Sequence, residues 1–189
     1  MKDIQKLLKN KKIGVVGSHG VGKSTFVNDL KEQHGATTIN ELVRDLEQRG
    51  FPINEDTGPE FAPSATCMYV ENFNRYDEFV SDRSLIDYQV YAEYNDELKP
   101  FDYSHVTEFV KDYAEKYTPR HDLLVYISPE FDLVSDGVRS TNTEFRDDID
   151  FRIRRELHKY SGRVPIRQVT GSPEQRIEQF GYEVGELWG

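Results

Sequence analysis

Eight consecutive residues near the start of the chain have the types and spacing of a phosphate-binding loop. They are Gly17-Ser18-His19-Gly20-Val21-Gly22-Lys23-Ser24, with Thr25 directly after them. Glycines let backbone N–H groups turn inward around a phosphate, where a Cβ atom would clash. The lysine reaches the β- and γ-phosphate oxygens, and the serine hydroxyl is suited to ligate Mg²⁺. The pattern predicts that Gly17 to Thr25 bind MgATP.

The sequence around this loop fits the same chemistry. The apolar run Ile13 to Val16 has the length of a buried strand, and Ser24 to Gln33 has a helical pattern that ends at Gly35. Such a helix points its positive N-terminal end at the phosphates. His19 and Val21 occupy positions at which the motif accepts any residue. We therefore expect His19 to be a loop residue rather than a catalytic one.

A second candidate for chemistry is Asp82-Arg83-Ser84, which follows a short predicted strand around Glu78 to Ser81. A carboxylate at the tip of a central strand lies beside the phosphate loop. There Asp82 can hold Mg²⁺ or accept the proton of an acceptor hydroxyl. Arg83 can neutralise charge on the transferring oxygens or bind a substrate anion. The alternative is an ordinary strand-to-helix junction in which Asp82 only caps the next helix.

The sequence argues against two large classes of phosphate-loop proteins. A GTPase of the common kind needs a guanine-binding Asn/Thr-Lys-x-Asp motif, and none follows the phosphate loop. A ring-forming AAA+ motor is usually longer and has an apolar strand that ends in Asp-Glu, whereas the candidate strand here ends in Asp82-Arg83. These absences favour a small kinase.

Composition and length bound the remaining possibilities. A chain of 189 residues with 31% charged and 37% apolar residues is typical of one soluble α/β domain. The net charge of −10 argues mildly against a duplex nucleic acid partner. Cys67 is the sole cysteine, the histidines lack metal-ligand spacing, and no apolar run is long enough to span a bilayer. We expect a cytoplasmic protein, or one in the host cytoplasm if the chain is of phage origin.

Strands and helices alternate along the chain, which predicts a parallel sheet covered on both faces and hence a three-layer α/β fold. The predicted strands lie at 13–16, 37–40, 78–81, 123–127 and 164–169. A lead-in helix is predicted at Lys2 to Asn10, and further helices at Ala65 to Tyr76 and Leu85 to Tyr94. The intervening stretch Phe51 to Pro63 has three prolines and is predicted to be a functional loop.

Together these features resemble the P-loop nucleoside and nucleotide kinases, most closely the ATPase-like subgroup related to the ribosylnicotinamide kinase domain. Besides the phosphate loop, the resemblance rests on four groups of residues in the same order: Glu41-x-x-Arg44, Asp82-Arg83-Ser84, Asp136-Gly137-Val138-Arg139, and Thr170-Gly171-Ser172 with Arg176. It implies one P-loop NTPase domain over 1–189 with a helical lid around 130–160. It also implies ATP and Mg²⁺ as cofactors and γ-phosphoryl transfer to a hydroxyl of a nucleoside- or nucleotide-like acceptor.

The resemblance also implies roles for particular residues. Glu41 falls where such kinases place an acidic residue near the acceptor, so it competes with Asp82 for the role of base. Arg44 and Arg83 would bind the acceptor. For Arg44, a solvated helix face is an equally good explanation.

Two further regions would contact the nucleotide. Arg139 and Arg146 resemble lid arginines that close on the triphosphate, although the whole segment is rich in charged residues and a surface helix would look similar. Thr170 and Gly171 would border the adenine, with Arg176 nearby.

The acceptor site is expected in the Phe51 to Pro63 loop and the helix after it. This region offers aromatic side chains for stacking on a base, although their helical spacing also fits a packed helix face; they are Phe61, Tyr69, Phe73 and Tyr76, with Arg75 among them. Three hypotheses about function remain open, and we favour the first. The acceptor is a free nucleoside or nucleotide, or it is a hydroxymethylated base within DNA as in phage base modification, or the protein is a regulatory ATPase without an acceptor.

Overall fold

A five-stranded parallel β-sheet with helices on both faces forms the protein. A computed structural model of the chain describes residues 3–40, 42–52, 57–98, 102–131 and 143–189. The strand order is β2-β3-β1-β4-β5, with bounds β1 (Lys12–Val16), β2 (Thr38–Ile39), β3 (Phe79–Asp82), β4 (Leu123–Ile127) and β5 (Ile166–Val169). The predicted three-layer α/β fold with a central parallel sheet is thereby confirmed.

Helices and a short 3-10 turn connect the strands. The helices are α1 (Ile4–Leu7), α2 (Lys23–His34), α3 (Leu42–Gln48), α4 (Phe61–Arg75), α5 (Leu85–Leu98), α6 (Ser104–Tyr117), α7 (Thr143–Tyr160) and α8 (Pro173–Trp188), and the turn is Thr118–Arg120. Ser172 caps α8 by accepting from the amide of Gln175, and Pro173 takes the first helical position. Within the described ranges, no helix combines the length and apolar character needed to cross a membrane.

Apolar burial on both faces of the sheet determines the three layers. All five residues of β4 are buried, as expected for a parallel strand covered on both sides. Helices α1, α2 and α8 cover one face, where Phe26 packs edge-on against Phe180 at 5.5 Å. Helices α5 and α7 cover the other face with side chains such as Val90 and Ile153. A further apolar cluster lies among α3, α4, α5 and α6.

The largest differences from the predicted boundaries concern three helices. Helix α4 begins at Phe61, so Pro63 lies inside its first turn rather than in a loop; proline is tolerated there because the N–H it lacks has no partner within the helix. Helix α5 continues past Tyr94 to Leu98, because its last residues are half-buried or exposed and need no apolar periodicity. The lead-in helix is a single turn at Ile4–Leu7, which ends before Asn10 with its positive φ of 58°.

A chain of buried hydrogen bonds joins α4, β3 and His121, which lies two positions before β4. His121 Nδ1 lies 3.0 Å from the Thr118 carbonyl oxygen and donates to it, so His121 Nε2 accepts from the Tyr69 hydroxyl at 2.7 Å. The Tyr69 hydroxyl is also 3.3 Å from Ser81 Oγ, which donates to the Arg83 carbonyl oxygen at 2.8 Å. Burial lowers the pKa of His121 to about 4, because the imidazolium form would be desolvated.

We expect the folded protein to lose stability as the pH falls from 6.5 toward about 4. In this range the unfolded His121 binds a proton and the folded one does not, so acid favours unfolding. The shift in the pKa of His121 corresponds to a loss of ~3 kcal/mol in the free energy of unfolding across this range. Urea unfolding at a series of pH values measures it, with His121→Gln as the comparison because glutamine does not titrate. Equal pH dependence in the two proteins would contradict this assignment.

Candidate functional site

The phosphate loop connects β1 to α2 and packs against the end of β4. A Cβ atom on Gly17 would lie 2.5 Å from the carbonyl oxygen of Ile127, so only glycine fits there. Gly20 and Gly22 have positive φ angles of 74° and 91°, which residues with side chains rarely adopt. The turn that surrounds the phosphate site therefore needs glycine at all three positions.

Lys23 is the first residue of α2, and its ammonium group lies inside the loop. The side chain is buried, and Nζ donates to the carbonyl oxygens of Gly17 at 2.6 Å and Ser18 at 2.7 Å. These oxygens hold the cation where phosphate oxygens of a bound nucleotide can replace them. Ser24 follows in the first turn of α2 and is half-buried, whereas Thr25 is exposed.

Asp82 lies beside the phosphate loop at the end of β3. It pairs in register with Val15 of β1, the strand that leads into Gly17. The residue is 4% exposed, and its Oδ1 atom accepts no hydrogen bond from the part of the chain that the structure describes. A buried carboxylate oxygen without a donor is unfavourable unless a cation approaches it. Asp82 is therefore suited to a metal ion.

Arg83 joins the end of β3 to α5 in an unusual backbone conformation. Its φ is 93°, its amide donates to the Val15 carbonyl at 3.1 Å, and its guanidinium stacks on the Tyr91 ring at 5.3 Å. The Tyr91 hydroxyl also lies 3.1 Å from His19 Nδ1. Burial raises the pKa of Tyr91 although the neighbouring Arg83 opposes the rise. These three side chains connect the phosphate loop to α5.

His19 is buried against aromatic rings. Its ring centroid is 4.9 Å from that of Phe145 and 6.5 Å from that of Tyr91. The His19 ring therefore packs against α5 and α7, and the expectation that His19 is not catalytic stays a prediction.

A cavity of about 100 Å³ opens between the phosphate loop and the helices, and we call it the aromatic cavity. His19 and Arg83 line it where it meets the phosphate loop and β3. Its other walls combine aromatic rings with a few polar groups: Phe61, Tyr88, Tyr91, Tyr103 and Phe145, with Arg44, Glu47 and Asn95. Tyr103 donates to the Thr57 carbonyl at 3.3 Å, which joins the 57–58 segment to the start of α6.

Only part of the aromatic set expected at the acceptor site lines this cavity. Phe61 does, but Tyr69 and Phe73 are buried in the core, as the packing alternative predicted. Tyr76 is 37% exposed and Arg75 stacks on it at the far end of α4. The remaining rings come from α5, from α7 and from Tyr103 just before α6, all of which are distant in sequence from the expected segment.

A second cavity of about 180 Å³ lies on the opposite side of the phosphate loop. It is lined by residues of the loop, α2 and α8: Gly20, Val21, Gly22, Thr25, Phe26, Pro173 and Arg176, together with Phe131. Arg176 is buried and donates from Nη1 to the Val21 carbonyl at 2.7 Å, and it stacks on the Phe131 ring at 5.6 Å. This arrangement leaves a recess beside the phosphate loop for a flat group.

Thr170 and Gly171 lie next to the second cavity but do not line it. The Gly171 amide donates to Glu130 Oε2 at 2.7 Å, and the same oxygen is 3.5 Å from Arg176 Nη2. Glu130 thus links the turn after β5 to the arginine beneath the phosphate loop.

Several predicted residues fall outside the described ranges or do not line either cavity. Glu41 and Arg139 lie outside the described residues, as does the 132–142 part of the expected lid. Helix α7 makes up most of the rest of that lid, and its Ile149 is fully buried against the sheet. Arg146 donates to the Phe131 carbonyl at 2.9 Å.

Sequence reasoning missed Asp87, a fully buried residue at the third position of α5. Its Oδ2 accepts from the Ser84 amide at 2.9 Å and lies 3.3 Å from Ser84 Oγ, and its Oδ1 accepts from the Gly17 amide at 3.3 Å. Burial raises the pKa of Asp87, against the opposing charges of Lys23 and Arg83. The spacing Ser84-x-x-Asp87 is a capping-box pattern, and this pattern is the sequence signal that could have identified Asp87.

Comparison with known protein families shows which family the chain belongs to. Residues 12–176 match the model of a family described as an AAA domain, and the chain belongs to that family. The match begins at the first residue of β1 and ends at Arg176 beneath the phosphate loop. A comparison with curated proteins finds no match. The expectation that the chain is not a ring-forming motor stays a prediction.

Solved structures with a similar fold include nucleoside and nucleotide kinases. NadR in complex with NR has 18% identity and a TM-score of 0.74, with 94% of this chain and 51% of that chain covered, so the chain spans about half of NadR. Deoxyadenosine kinase from M. mycoides with bound dCTP has 14% identity and a TM-score of 0.64, with 93% and 99% covered. Thymidylate kinase from Candida albicans has 13% identity and a TM-score of 0.61, with 95% and 93% covered. The resemblance to the P-loop nucleoside and nucleotide kinases is confirmed for the fold.

We expect Gly17→Ala to abolish ATP binding. The new Cβ would lie 2.5 Å from the Ile127 backbone oxygen, so the start of the phosphate loop must move. Gly181→Ala is the matched control, because its Cβ would meet only the flexible end of the Ile4 side chain at 3.1 Å. Calorimetric titration with MgATP measures the effect. Wild-type affinity in Gly17→Ala would show that this close contact is not needed.

Proposed function

We propose that the protein is an ATP-dependent kinase that transfers the γ-phosphoryl group to a hydroxyl of a nucleoside- or nucleotide-like acceptor. The observation that carries the proposal is the aromatic cavity, which reaches both the phosphate loop at His19 and the tip of β3 at Arg83. An acceptor in this cavity lies next to the transferring phosphate. An ATPase without an acceptor needs no such cavity. The deoxyadenosine and thymidylate kinases of similar fold add support.

The donor nucleotide spans the phosphate loop and the second cavity in this proposal. Amides of Gly17 to Thr25 and the Lys23 ammonium bind the phosphates. The adenine occupies the second cavity near Arg176, with Thr170 and Gly171 at its border. The buried Arg176 holds the Val21 carbonyl and so fixes the loop between the two parts of the nucleotide.

Ser24 and Asp82 would hold Mg²⁺, which shields phosphate charge when it is bound. The Oδ1 atom of Asp82, buried without a donor, fits this role. In the described residues no group of three or more His, Cys, Asp or Glu side chains could hold a metal ion. That agrees with Mg²⁺, which usually takes one or two protein ligands and completes its shell with water and phosphate oxygens.

The transfer step needs positioning and charge stabilisation more than covalent chemistry. The acceptor oxygen bonds to the γ-phosphorus, the bond from that phosphorus to the oxygen shared with the β-phosphate breaks, and the hydroxyl proton passes to a carboxylate. Asp82 and Glu41 are the candidates for this carboxylate. Arg83 and the lid residue Arg139 offset the charge that develops on the transferring oxygens.

The size and closure of the aromatic cavity favour a free small acceptor. Its volume is about 100 Å³, and the Tyr103 to Thr57 hydrogen bond closes one wall. Stacked rings suit a nucleobase, while Arg44 and Arg83 suit a phosphate or a sugar hydroxyl. The net charge of −10 also favours a free acceptor over a base within DNA.

Transfer of labelled γ-phosphate from MgATP tests the proposal directly. We expect label on a nucleoside or a nucleoside monophosphate, and a loss of at least ~100-fold in Lys23→Ala because that cation contacts the transferring phosphate. Lys31→Ala is the matched control, since Lys31 is an exposed lysine of the same helix. Transfer of label only to hydroxymethylated-base DNA would show that the acceptor is a base within DNA. Label released solely as free phosphate would make the chain a regulatory ATPase and reject the proposal.

The acceptor cavity has its own test. We expect Phe61→Ala to raise the KM for the acceptor by ~10-fold or more and to leave the KM for ATP unchanged. The reason is that the Phe61 ring lines the aromatic cavity and does not line the second cavity. Tyr76→Ala removes an exposed ring just past the other end of α4 and should change neither constant. Steady-state kinetics with both substrates varied measures these effects. An equal rise in both KM values would show that the ring supports the whole site rather than the acceptor.

A further inference from the structure

Asp87 does more than cap α5. A capping box requires that one side-chain oxygen accept from the N-cap amide, and the bond from Ser84 to Oδ2 fulfils that requirement. The other oxygen reaches the amide of Gly17, which belongs to the phosphate loop after β1. Complete burial of a carboxylate is costly, and capping alone does not need it. Capping of α5 therefore does not explain the bond between Asp87 and the Gly17 amide.

Burial raises the pKa of Asp87, and the donors and positive charges around it oppose that rise and favour the ionised form. The amides of Gly17 and Ser84 are donors. Ser84 Oγ accepts from the Ile86 amide at 3.1 Å, so its proton is available to Asp87. All three partners can donate, and a protonated carboxyl group would place its own proton against one of them. The positive charges of Lys23 and Arg83 act in the same direction.

We propose that Asp87 is a positioning residue with two effects. Its carboxylate ties the first amide of the phosphate loop to the turn that carries Asp82 and Arg83, and it is the resting counter-charge of Lys23 and Arg83. The first effect fixes the distance between the donor phosphates and the acceptor side. The inference about turnover rests on the proposed kinase function, whereas the inference about ATP binding does not.

These two effects change binding and turnover in opposite directions. ATP phosphates must compete with the Asp87 charge for Lys23 and Arg83, so removal of that charge strengthens ATP binding. Loss of the link to Gly17 lets the loop and the β3–α5 turn shift relative to each other. Small displacements of the reacting groups are costly, so turnover falls.

The test is Asp87→Asn, which keeps the size of the side chain and one acceptor oxygen for the cap of α5. We expect the dissociation constant for ATP to fall by ~3-fold or more. We expect kcat to fall by ~10-fold or more with an unchanged KM for the acceptor. The matched control is Asp150→Asn, another buried carboxylate, which accepts from the Tyr126 hydroxyl at 2.8 Å. The control should change none of these constants.

The outcomes separate positioning from loss of structure. Thermal unfolding of both variants gives the folded fraction, and a merely structural role for Asp87 would weaken ATP binding together with activity. Wild-type turnover in folded Asp87→Asn, or weaker ATP binding, would overturn the inference. If the wild-type protein transfers phosphate to no acceptor, the proposed function fails, and the ATP affinities of the two variants still decide the role of Asp87.

Discussion

The parallel pairing of β1 with β3 is the constraint on which the candidate site depends. In this pairing Val15 lies opposite Asp82, so the two strands end at the same edge of the sheet. The phosphate loop leaves β1 at that edge, and Asp82 and Arg83 leave β3 beside it. Strand β4 on the other side of β1 supplies the Ile127 carbonyl against which Gly17 packs. Parallel α/β sheets commonly bind ligands where strands end in this way.

Hydrogen bonds between the two strand ends make the arrangement rigid. The Arg83 amide donates to the Val15 carbonyl, and Asp87 accepts from the Gly17 amide. Each bond joins β1 or the phosphate loop, on the side of the donor nucleotide, to the β3–α5 region on the side of the acceptor. Phosphoryl transfer depends mainly on such fixed geometry, so interactions away from the reacting atoms have a direct bearing on chemistry.

Local features were predictable from the sequence, and features assembled from distant segments were not. The phosphate loop and the parallel sheet follow from short patterns of glycine and of apolar residues. The walls of the aromatic cavity come from α3, α4, α5, α6 and α7, and no single segment contains their pattern. The helical spacing of Tyr69 and Phe73 fits packing as well as stacking, and only the tertiary contacts place them in the core. The Asp87 contact with Gly17 spans 70 positions in sequence and leaves no local pattern.

The backbone of Arg83 is an independent reason to connect this turn with function. A φ of 93° is unfavourable for any residue with a side chain and costs ~1–3 kcal/mol. Bonds from the Arg83 amide to Val15 and from Ser81 Oγ to the Arg83 carbonyl hold the strained conformation in place. Glycine would adopt the same φ without strain but would remove the guanidinium that stacks on Tyr91 at the edge of the aromatic cavity. The chain keeps an arginine where the backbone favours glycine, and this supports a role for the guanidinium in the chemistry of the cavity.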